Sequence, residues 1–381
     1  MAFNIIDLKV YKAAFIAKLR KWFLGKKDPY LPLPSKLYLS PSVGIISSYK
    51  KVERKLSFSH MKDAPVKWQT IARKKLIEIS GYEDNRMFPK IVKMNTEENL
   101  GESIFKRSFY LRVREKTDVP FHLIFKKPIR EPCPIFIFLT GSTSGVHVGW
   151  GSKVVPIDHQ RVAIGADMGK QAAKKGYISV GIEQAGYGER GERKLWKRST
   201  EKTIDASNHL LLLGKTLMGY GASDISSVID WLLYQNNFFE VNKNRLYLFG
   251  HSSGGTLALY ASALDIRIKG TLASGSVGNI SETVGVRGAP SGDKIIPNFL
   301  NWFETPDLLA LNAPRSFVGL SGDKDHIYPY SGTKKVINEA KYFYKWMGFK
   351  NKINAYKVFG KHQYHAHETW KAWEKWIDKN I

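Results

Sequence analysis

The chain has 381 residues, of which 43% are hydrophobic and 13% aromatic, and it contains a single cysteine, Cys133. This composition is sufficient for a large hydrophobic core and excludes disordered, collagen-like and disulfide-stapled classes of protein. We therefore expect one large domain with an N-terminal extension. We interpret the lone cysteine as a structural thiol rather than a nucleophile.

Basic residues outnumber acidic ones, and the formal net charge is +25. Residues 1–60 contain twelve Lys or Arg against three Asp or Glu, while the rest of the excess is spread along the chain. A diffuse positive charge favours attraction to anionic surfaces in general. No recognisable nucleic-acid module accompanies this charge, so we expect no nucleic-acid partner.

The sequence carries no signal for membrane insertion or export. No stretch approaches the roughly 18 consecutive apolar residues that a membrane-spanning helix needs. The N-terminus lacks the basic head, apolar block and small-residue cleavage site of a signal peptide. These features favour a cytoplasmic protein.

The first sixty residues differ from the rest of the chain. Residues 4–24 place apolar side chains at steps of three and four, with lysines and an arginine beside them, which predicts a basic amphipathic helix. Such a helix is compatible with peripheral contact to an anionic membrane or with docking on the protein's own body. Residues 28–60 contain four prolines and predict an extended arm. We therefore predict a basic helix and arm over residues 1–60 and a folded domain over 61–381.

The remainder of the chain predicts a helix, a pair of strands and then a regular alternation of strands and helices. Such alternation indicates a mostly parallel sheet covered by helices on both faces. An irregular insert at 277–312 interrupts the alternation, and we expect it to form a wall of the substrate pocket. The predicted helices are 64–80, 164–175, 223–235, 253–264, 332–347 and 366–379, and the predicted strands are 104–126 (in two pieces), 135–139, 177–182, 245–250, 270–275, 316–320 and 353–359.

The segment from Gly250 to Gly255 is the clearest catalytic signature, because it fits the pattern G-x-S-x-G between a predicted strand and a predicted helix. A serine at such a sharp turn exposes its hydroxyl at the carboxyl edge of the sheet, and the flanking glycines avoid steric clashes. Ser252 is therefore the candidate nucleophile, since Ser253 has no glycine two positions before it.

A serine nucleophile needs a base that takes its proton and an acid that orients the base. Both should follow Ser252 in the chain, in the order acid and then histidine. The strand at 316–320 leads into a loop with two carboxylates, Asp323 and Asp325. We favour Asp325, which lies further along the loop, and interpret Asp323 as a turn residue.

The last predicted strand leads into a segment rich in histidine. His362 comes directly after the strand and Gly360, and it is the candidate base, with His365 as the alternative. The same segment admits an interpretation as metal ligands, because His367 and Glu368 are close by in sequence. A serine and an acid in the correct chain order make that interpretation unnecessary, and we predict no metal site.

An oxyanion hole requires two N–H donors near the nucleophile. The backbone N–H of Ser253, at the start of the following helix, is the first candidate. The second is expected in the loop Thr140–Gly145, at the end of an early strand, where small residues permit close approach to the substrate. Ser142 and Thr143 are equal candidates for this donor.

Residues 186–191 match the glycine pattern G-x-G-x-x-G of dinucleotide-binding proteins. The pattern is not followed by an apolar helix, and no acidic residue ends a strand about 20 residues later. We therefore predict no nicotinamide site and no cofactor.

Longer stretches of the sequence resemble one group of enzymes, the α/β-hydrolases of the dienelactone hydrolase and acetyl-xylan-esterase type. The resemblance covers about residues 67–381 and implies an α/β-hydrolase fold. It implies Ser252 as nucleophile, Asp325 as acid and His362 as base, in agreement with the interpretation from the residues alone. The family often has His-Gly where this chain has Thr140-Gly141. The stretches that carry the resemblance include WQTIARKKLIEI, GYGERG, GKTLMGYGASDISSVIDWL, FGHSSGGTLALYASALDIRIKG, IPNFLNWFETPDLLALNAPRSFVGLSGDKDHIYP and FGKHQYHAHETWKAWEKWI.

These observations predict a serine hydrolase that forms an acyl-enzyme on a small-molecule ester, with a short acyl group such as acetyl as the leading candidate. A peptidase or a thioesterase would use the same residues. A non-catalytic binding protein recruited to an anionic membrane surface is the alternative from another class. Three intact catalytic positions argue against that alternative.

Overall fold

The computed structural model describes residues 37–39, 41–49, 51–61, 64–192, 203–287 and 294–379. The chain divides into two compact units, residues 1–50 and 51–381. In the first unit the structure describes one helix, α1 (Pro41–Ser48), which has no buried side chain. The amphipathic helix predicted over residues 4–24 lies outside the described residues.

One mixed sheet forms the centre of the second unit. The strand order is β1-β3-β4-β6-β5-β7-β8-β9-β10, and β2 pairs with β3. Strands β1 to β4 form antiparallel pairs, whereas β5 to β10 run parallel to one another. β6 joins the two halves, since it is antiparallel to β4 and parallel to β5. The strands are β1 (Lys90–Met94), β2 (Glu98–Asn99), β3 (Ile104–Arg114), β4 (Thr117–Lys126), β5 (Cys133–Leu139), β6 (Ile178–Ile182), β7 (Val241–His251), β8 (Gly270–Ser274), β9 (Ser316–Gly322) and β10 (Ile353–Val358).

Helices lie on both faces of this sheet, which confirms the predicted α/β architecture. None of the helices in the described residues combines the length and the hydropathy needed to traverse a bilayer. Those of the second unit are α2 (Pro65–Ser80), α3 (Pro156–Ala163), α4 (Met168–Lys174), α5 (Ile204–Leu211), α6 (Leu217–Tyr234), α7 (Ser253–Leu264), α8 (Ile280–Arg287), α9 (Thr305–Ala310), α10 (Tyr330–Trp346) and α11 (Ala366–Trp376).

Strand β5 separates two hydrophobic cores. Ile135 and Ile137 belong to the core formed with helices α2, α6, α7, α9 and α10. Phe136 and Phe138 belong to the opposite core, formed with helices α4 and α11. Side chains alternate between the faces of a strand, so a strand that is covered on both sides is apolar at every position. This explains the uninterrupted apolar sequence of β5.

The predicted arm ends in a segment that packs on the second unit. Residues 51–61 belong to that unit, and the N–H of Leu56 donates to the carbonyl of Trp302 at 3.1 Å. The ring of Phe58 contacts Phe343 at a centroid distance of 5.7 Å. The N–H of Phe58 also donates to the buried carboxylate of Asp307 at 2.9 Å. This part of the arm is thus held by both apolar and polar contacts.

The insert at 277–312 contains helices α8 and α9. Its aromatic residue Phe303 is fully buried and packs against Phe299 at a centroid distance of 5.9 Å. Phe303 therefore contributes to the core rather than to an open pocket surface.

The parallel strands place the predicted site residues at one edge of the sheet. Ser252 follows β7, Asp325 lies in the loop after β9, and His362 lies in the loop after β10. Ser142 and Thr143 follow β5, which is the neighbour of β7. Parallel strands end at the same edge, so residues from distant parts of the chain meet there.

Candidate active site

Ser252 occupies a strained turn between β7 and α7. Its backbone has φ 52° and ψ −120°, a conformation that costs a non-glycine residue about 1–3 kcal/mol. A Cβ atom on Gly250 would lie 2.2 Å from the carbonyl oxygen of Gly254, and one on Gly254 would lie 2.4 Å from that of Thr140. Only glycine fits these two positions, which explains the spacing of the sequence pattern.

His362 lies between the serine and a carboxylate. Its Nε2 atom is 2.9 Å from Ser252 Oγ, and its Nδ1 atom is 2.8 Å from Asp325 Oδ2. A carboxylate only accepts hydrogen bonds, so Nδ1–H is the donor to Asp325 and Nε2 is left to accept from the serine hydroxyl. The structure thus brings the three predicted residues together in the arrangement, carboxylate to histidine to serine, that activates a serine hydroxyl.

The carboxylate of Asp325 is buried and held in a fixed orientation. Its Oδ1 atom accepts hydrogen bonds from the N–H groups of Ile327 and Tyr328, both at 2.8 Å. Burial alone would raise the pKa of Asp325, but the hydrogen bond from His362 and these backbone donors hold it below its ordinary value. The group is therefore ionised at neutral pH and can stabilise positive charge on the imidazole.

The alternative acid, Asp323, faces a different partner. Its Oδ1 atom accepts the N–H of Gly360 at 2.9 Å, which lowers the pKa of this carboxyl. This hydrogen bond connects the loop after β9 with the loop after β10. Asp323 therefore positions the loop that carries His362.

The other histidines of the segment point elsewhere. His365 precedes helix α11, and its Nε2–H donates to the carbonyl of Lys361 at 3.1 Å. His367 is exposed in the first turn of that helix. Among the described residues, no three His, Cys, Asp or Glu side chains form a group suited to hold a metal ion.

The two candidate oxyanion donors in the loop after β5 differ in their hydrogen bonds. The N–H of Thr143 donates to the carbonyl of Gly141 at 2.6 Å, whereas the N–H of Ser142 makes no hydrogen bond with the described residues. A Cβ atom on Gly141 would lie 3.1 Å from Ser252 Cβ, so this loop passes directly beside the nucleophile. The N–H of Ser253 is the first of helix α7 and has no acceptor within the helix. Ser142 and Ser253 are thus the pair with available donors.

Tyr364 forms a hydrogen bond with this loop and was not identified from the sequence. Its hydroxyl accepts the N–H of Gly141 at 3.2 Å, and its ring lies 4.1 Å from that of His251. Burial raises the pKa of Tyr364 to about 12, so the hydroxyl stays neutral. Nothing distinguishes Tyr364 in the sequence except its place two residues after His362.

A second group of serine, histidine and aspartate lies near the same loop. Ser144 Oγ is 2.5 Å from one oxygen of Asp158, and His147 Nε2 is 2.9 Å from the other. Ser144 Oγ is also 3.1 Å from the same Nε2 atom, so hydroxyl and acid meet one ring nitrogen. Activation of a serine needs both ring nitrogens of the histidine, one bound to the acid and the other to the hydroxyl. This group instead anchors the loop, since Arg161 extends from Asp158 to the carbonyl of Ser142, at 3.4 Å from each.

A buried glutamate fixes the other end of the loop. Glu183 directly follows β6, and its two carboxylate oxygens lie 3.1 and 3.2 Å from the N–H of Val146. Burial raises the pKa of Glu183 to about 7. An acidic residue directly after an apolar strand is the only sequence signal for this role.

The mixed sheet, with a strained serine at a strand-to-helix turn of its parallel part, has the architecture of the α/β-hydrolases. The chain belongs to the Abhydrolase family, whose sequence model matches residues 35–330. That stretch includes Ser252 and Asp325, while His362 lies beyond it.

One curated protein and several solved structures are similar to this chain. YtaP of Bacillus subtilis (strain 168), described as a hydrolase, is 23% identical over 295 residues, which are 74% of this chain and 89% of YtaP. A protein of Bacteroides fragilis described as an acetyl xylan esterase has a similar structure, with TM-score 0.67, 20% identity and coverage of 84% of this chain and 83% of that one. A glucuronoyl esterase of Solibacter usitatus gives TM-score 0.60, 16% identity and coverage of 86% and 98%.

Proposed function

We propose that this protein is a serine esterase that hydrolyses carboxylic esters through an acyl-enzyme on Ser252. One observation carries the proposal: the continuous hydrogen-bonded series from Ser252 Oγ through His362 to the buried Asp325, at 2.9 and 2.8 Å. The strained backbone of Ser252 adds support, because residues are held in such conformations mainly at functional sites.

In the first half of the reaction, Ser252 Oγ attacks the carbonyl carbon of the ester while His362 Nε2 takes its proton. The carbonyl oxygen becomes an oxyanion, which the N–H groups of Ser253 and Ser142 stabilise. Asp325 keeps Nδ1 protonated and stabilises the imidazolium. The imidazolium then gives its proton to the leaving alcohol, and the acyl group stays on the serine.

In the second half, water replaces the alcohol. His362 Nε2 takes a proton from the water as its oxygen attacks the acyl carbon, and a second oxyanion forms in the same place. The proton passes to Ser252 Oγ as the bond to the acyl carbon breaks. The products are a carboxylic acid and the free enzyme.

We propose a small-molecule ester with a short acyl group, of the acetyl type, as the substrate. Two proteins of similar structure are described as esterases, one of acetyl xylan and one of glucuronoyl groups. Amide and thioester substrates need the same nucleophile, base and oxyanion donors, so a peptidase or a thioesterase is the second candidate.

The proposal predicts that purified protein hydrolyses p-nitrophenyl acetate and that Ser252→Ala lowers kcat by a factor on the order of 10³ or more, because the acyl-enzyme cannot form. A fluorophosphonate probe should label the wild-type protein and not this variant. Ser331→Ala, which removes an exposed serine hydroxyl, is the matched control and should leave both readouts unchanged. Equal turnover by Ser252→Ala and wild type would refute the proposal.

A further inference from the structure

An open cavity lies at the edge of the sheet opposite to the candidate active site. It measures about 410 Å³, which is within the range of cavities that bind small molecules. Strands β5 and β6 begin at its wall with Cys133 and Ile178, and β4, which is antiparallel to β6, ends there at Lys126. The seven residues of β5 span about 20 Å, so a molecule in this cavity does not contact the catalytic residues, which follow the other ends of the strands.

The wall of this cavity is strongly basic. Five of its eleven residues are lysine or arginine, and none of the described residues that form it is acidic. A concave surface lined by one sign of charge concentrates ions of the opposite sign. The basic cavity therefore favours an anionic ligand. Its five basic residues are Lys126, Lys127, Arg130, Lys174 and Lys175.

Two of these cations have no counter-ion in the part of the chain that the structure describes. The side chains of Lys126 and Arg130 form no ion pair and no hydrogen bond with the described residues. The backbone N–H groups of Ile129 and Arg130 likewise have no acceptor among those residues. Carboxylates are present near Cys133, namely those of Glu131 and Glu240, but both residues are exposed and lie outside the wall. The segment 126–130 thus offers two charges and two backbone donors to a ligand.

The other three cations are paired with carboxylates outside the wall. Lys174 Nζ is 2.7 Å from Glu102, Lys175 Nζ is 2.9 Å from Glu374, and Lys127 also pairs with a glutamate. The side chains of Glu102 and Glu374 are 60% and 46% exposed, and exposed ion pairs of this kind are weak. An ammonium group has three N–H donors, and the pair uses only some of them. Lys174 and Lys175 therefore keep donors for a ligand.

We propose that the basic cavity binds a small polyanion with at least two phosphate groups. The donors come from two separate segments, 126–130 and 174–176. Phosphate oxygens point in several directions and can meet donors from both segments, whereas the two oxygens of a carboxylate lie in one plane. Lysine and arginine both bind phosphate through charge-assisted hydrogen bonds. A single phosphate carries fewer charges than the wall can neutralise, so a second phosphate group strengthens binding.

The test measures the binding of inorganic pyrophosphate and orthophosphate by isothermal titration calorimetry at an ionic strength of about 0.15 M, which screens general attraction to a basic protein. We expect the wild-type protein to bind pyrophosphate about tenfold more tightly than orthophosphate, or better. The double variant Lys126→Gln/Arg130→Gln should weaken pyrophosphate binding about tenfold or more, because it removes the two unpaired charges. Lys334→Gln/Lys345→Gln is the matched control, since it removes two exposed charges from α10, outside the cavity, and should keep the wild-type affinity.

Equal loss of pyrophosphate binding in the two double variants, or absence of binding by the wild-type protein, would overturn the inference. Ser252→Ala should bind pyrophosphate as the wild type does, so a failure of the proposed esterase function is distinguishable from a failure of this inference. Vesicles that contain phosphatidylinositol bisphosphate separate two sources of the phosphate groups. Sedimentation of the control double variant but not of Lys126→Gln/Arg130→Gln would assign the phosphates to a lipid headgroup, and equal sedimentation would assign them to a soluble molecule.

Discussion

The imidazole of His251 lies close to the proposed base, His362, and a positive charge on it would oppose proton uptake by His362. Its ring centroid is 5.4 Å from that of His362, and its Nδ1 atom is 3.2 Å from Ser274 Oγ. Burial lowers the pKa of His251 to about 3, with a further contribution from His362. His251 therefore stays neutral when His362 takes up a proton, so no second positive charge opposes that step.

At the residue scale, the choice between the two carboxylates gives a direct prediction. Asp325→Asn should lower kcat for p-nitrophenyl acetate by a factor on the order of 10³–10⁴, because an amide neither fixes the tautomer of His362 nor stabilises its charge. Asp323→Asn should cost less than about tenfold, because the amide oxygen still accepts the N–H of Gly360. The opposite ranking of the two variants would move the proposed acid to Asp323.

At the element scale, a buried ion pair connects the end of α7 with its neighbours. Asp265 accepts hydrogen bonds from the guanidinium of Arg267, at 2.6 and 2.9 Å, and from Ser226 on α6 at 2.8 Å. Burial would raise the pKa of Asp265, but the pairing with Arg267 holds it below its ordinary value. The elements that carry the serine are thus joined by an ionised carboxylate.

Asp265→Asn should lower the free energy of unfolding by about 2 kcal/mol near neutral pH, because it removes one of the two carboxylates that pair with Arg267, the other being Asp230. Asp118→Asn is the control, since the ion pair of Asp118 with Arg112 is more than one-third exposed and should contribute less than about 1 kcal/mol. Urea unfolding monitored by circular dichroism measures both values. Similar losses in the two variants would contradict the role assigned to Asp265.

The pH dependence of the same variant has a definite sign. A carboxyl whose pKa is lowered by folding stabilises the protein at pH values above its unfolded pKa of about 3.9, and this contribution disappears as the pH falls through the folded pKa. The stability difference between wild type and Asp265→Asn should therefore shrink in acid. A difference that grows as the pH falls would contradict this assignment of the pKa.

At the scale of the whole molecule, the contacts of residues 51–61 predict where the chain can be shortened. A chain that begins at residue 51 should keep the Tm of the second unit, whereas one that begins at residue 62 should have a Tm lower by several degrees. The second truncation removes Phe58 from its contacts with Trp68 and Phe343 and exposes the carboxylate of Asp307. Equal Tm values for the two chains would show that the segment contributes no stability.

The hypothesis that residues 4–24 bind an anionic membrane surface stays a prediction from the sequence. Deletion of residues 1–27 should abolish sedimentation with vesicles rich in phosphatidylserine, because it removes the apolar stripe and its lysines, and should spare ester hydrolysis. Vesicles of phosphatidylcholine are the control and should bind neither chain. Equal sedimentation of full-length and shortened chains would refute the hypothesis.

Most elements of the fold were predictable because their signals are local. The helix predicted over 64–80 is α2, and Gly81 ends it in the left-handed conformation at φ 67°. The predicted strand 245–250 and helix 253–264 coincide with most of β7 and with α7. Short exposed elements such as β1 were not predicted, because β1 is mostly exposed and lacks a strong apolar pattern.

The sequence by itself determined the α/β alternation, the tight turn around Ser252 and the order in which the candidate acid and base follow it, since each depends on side chains close together in the chain. Only the tertiary structure decided that Asp325 rather than Asp323 reaches His362, and that Ser142 rather than Thr143 has an available N–H. The tertiary structure also places the hydroxyl of Tyr364 within hydrogen-bond distance of the Gly141 N–H. These relations depend on how loops from neighbouring parallel strands pack at one edge of the sheet, and such packing between distant segments leaves no periodic trace in the sequence.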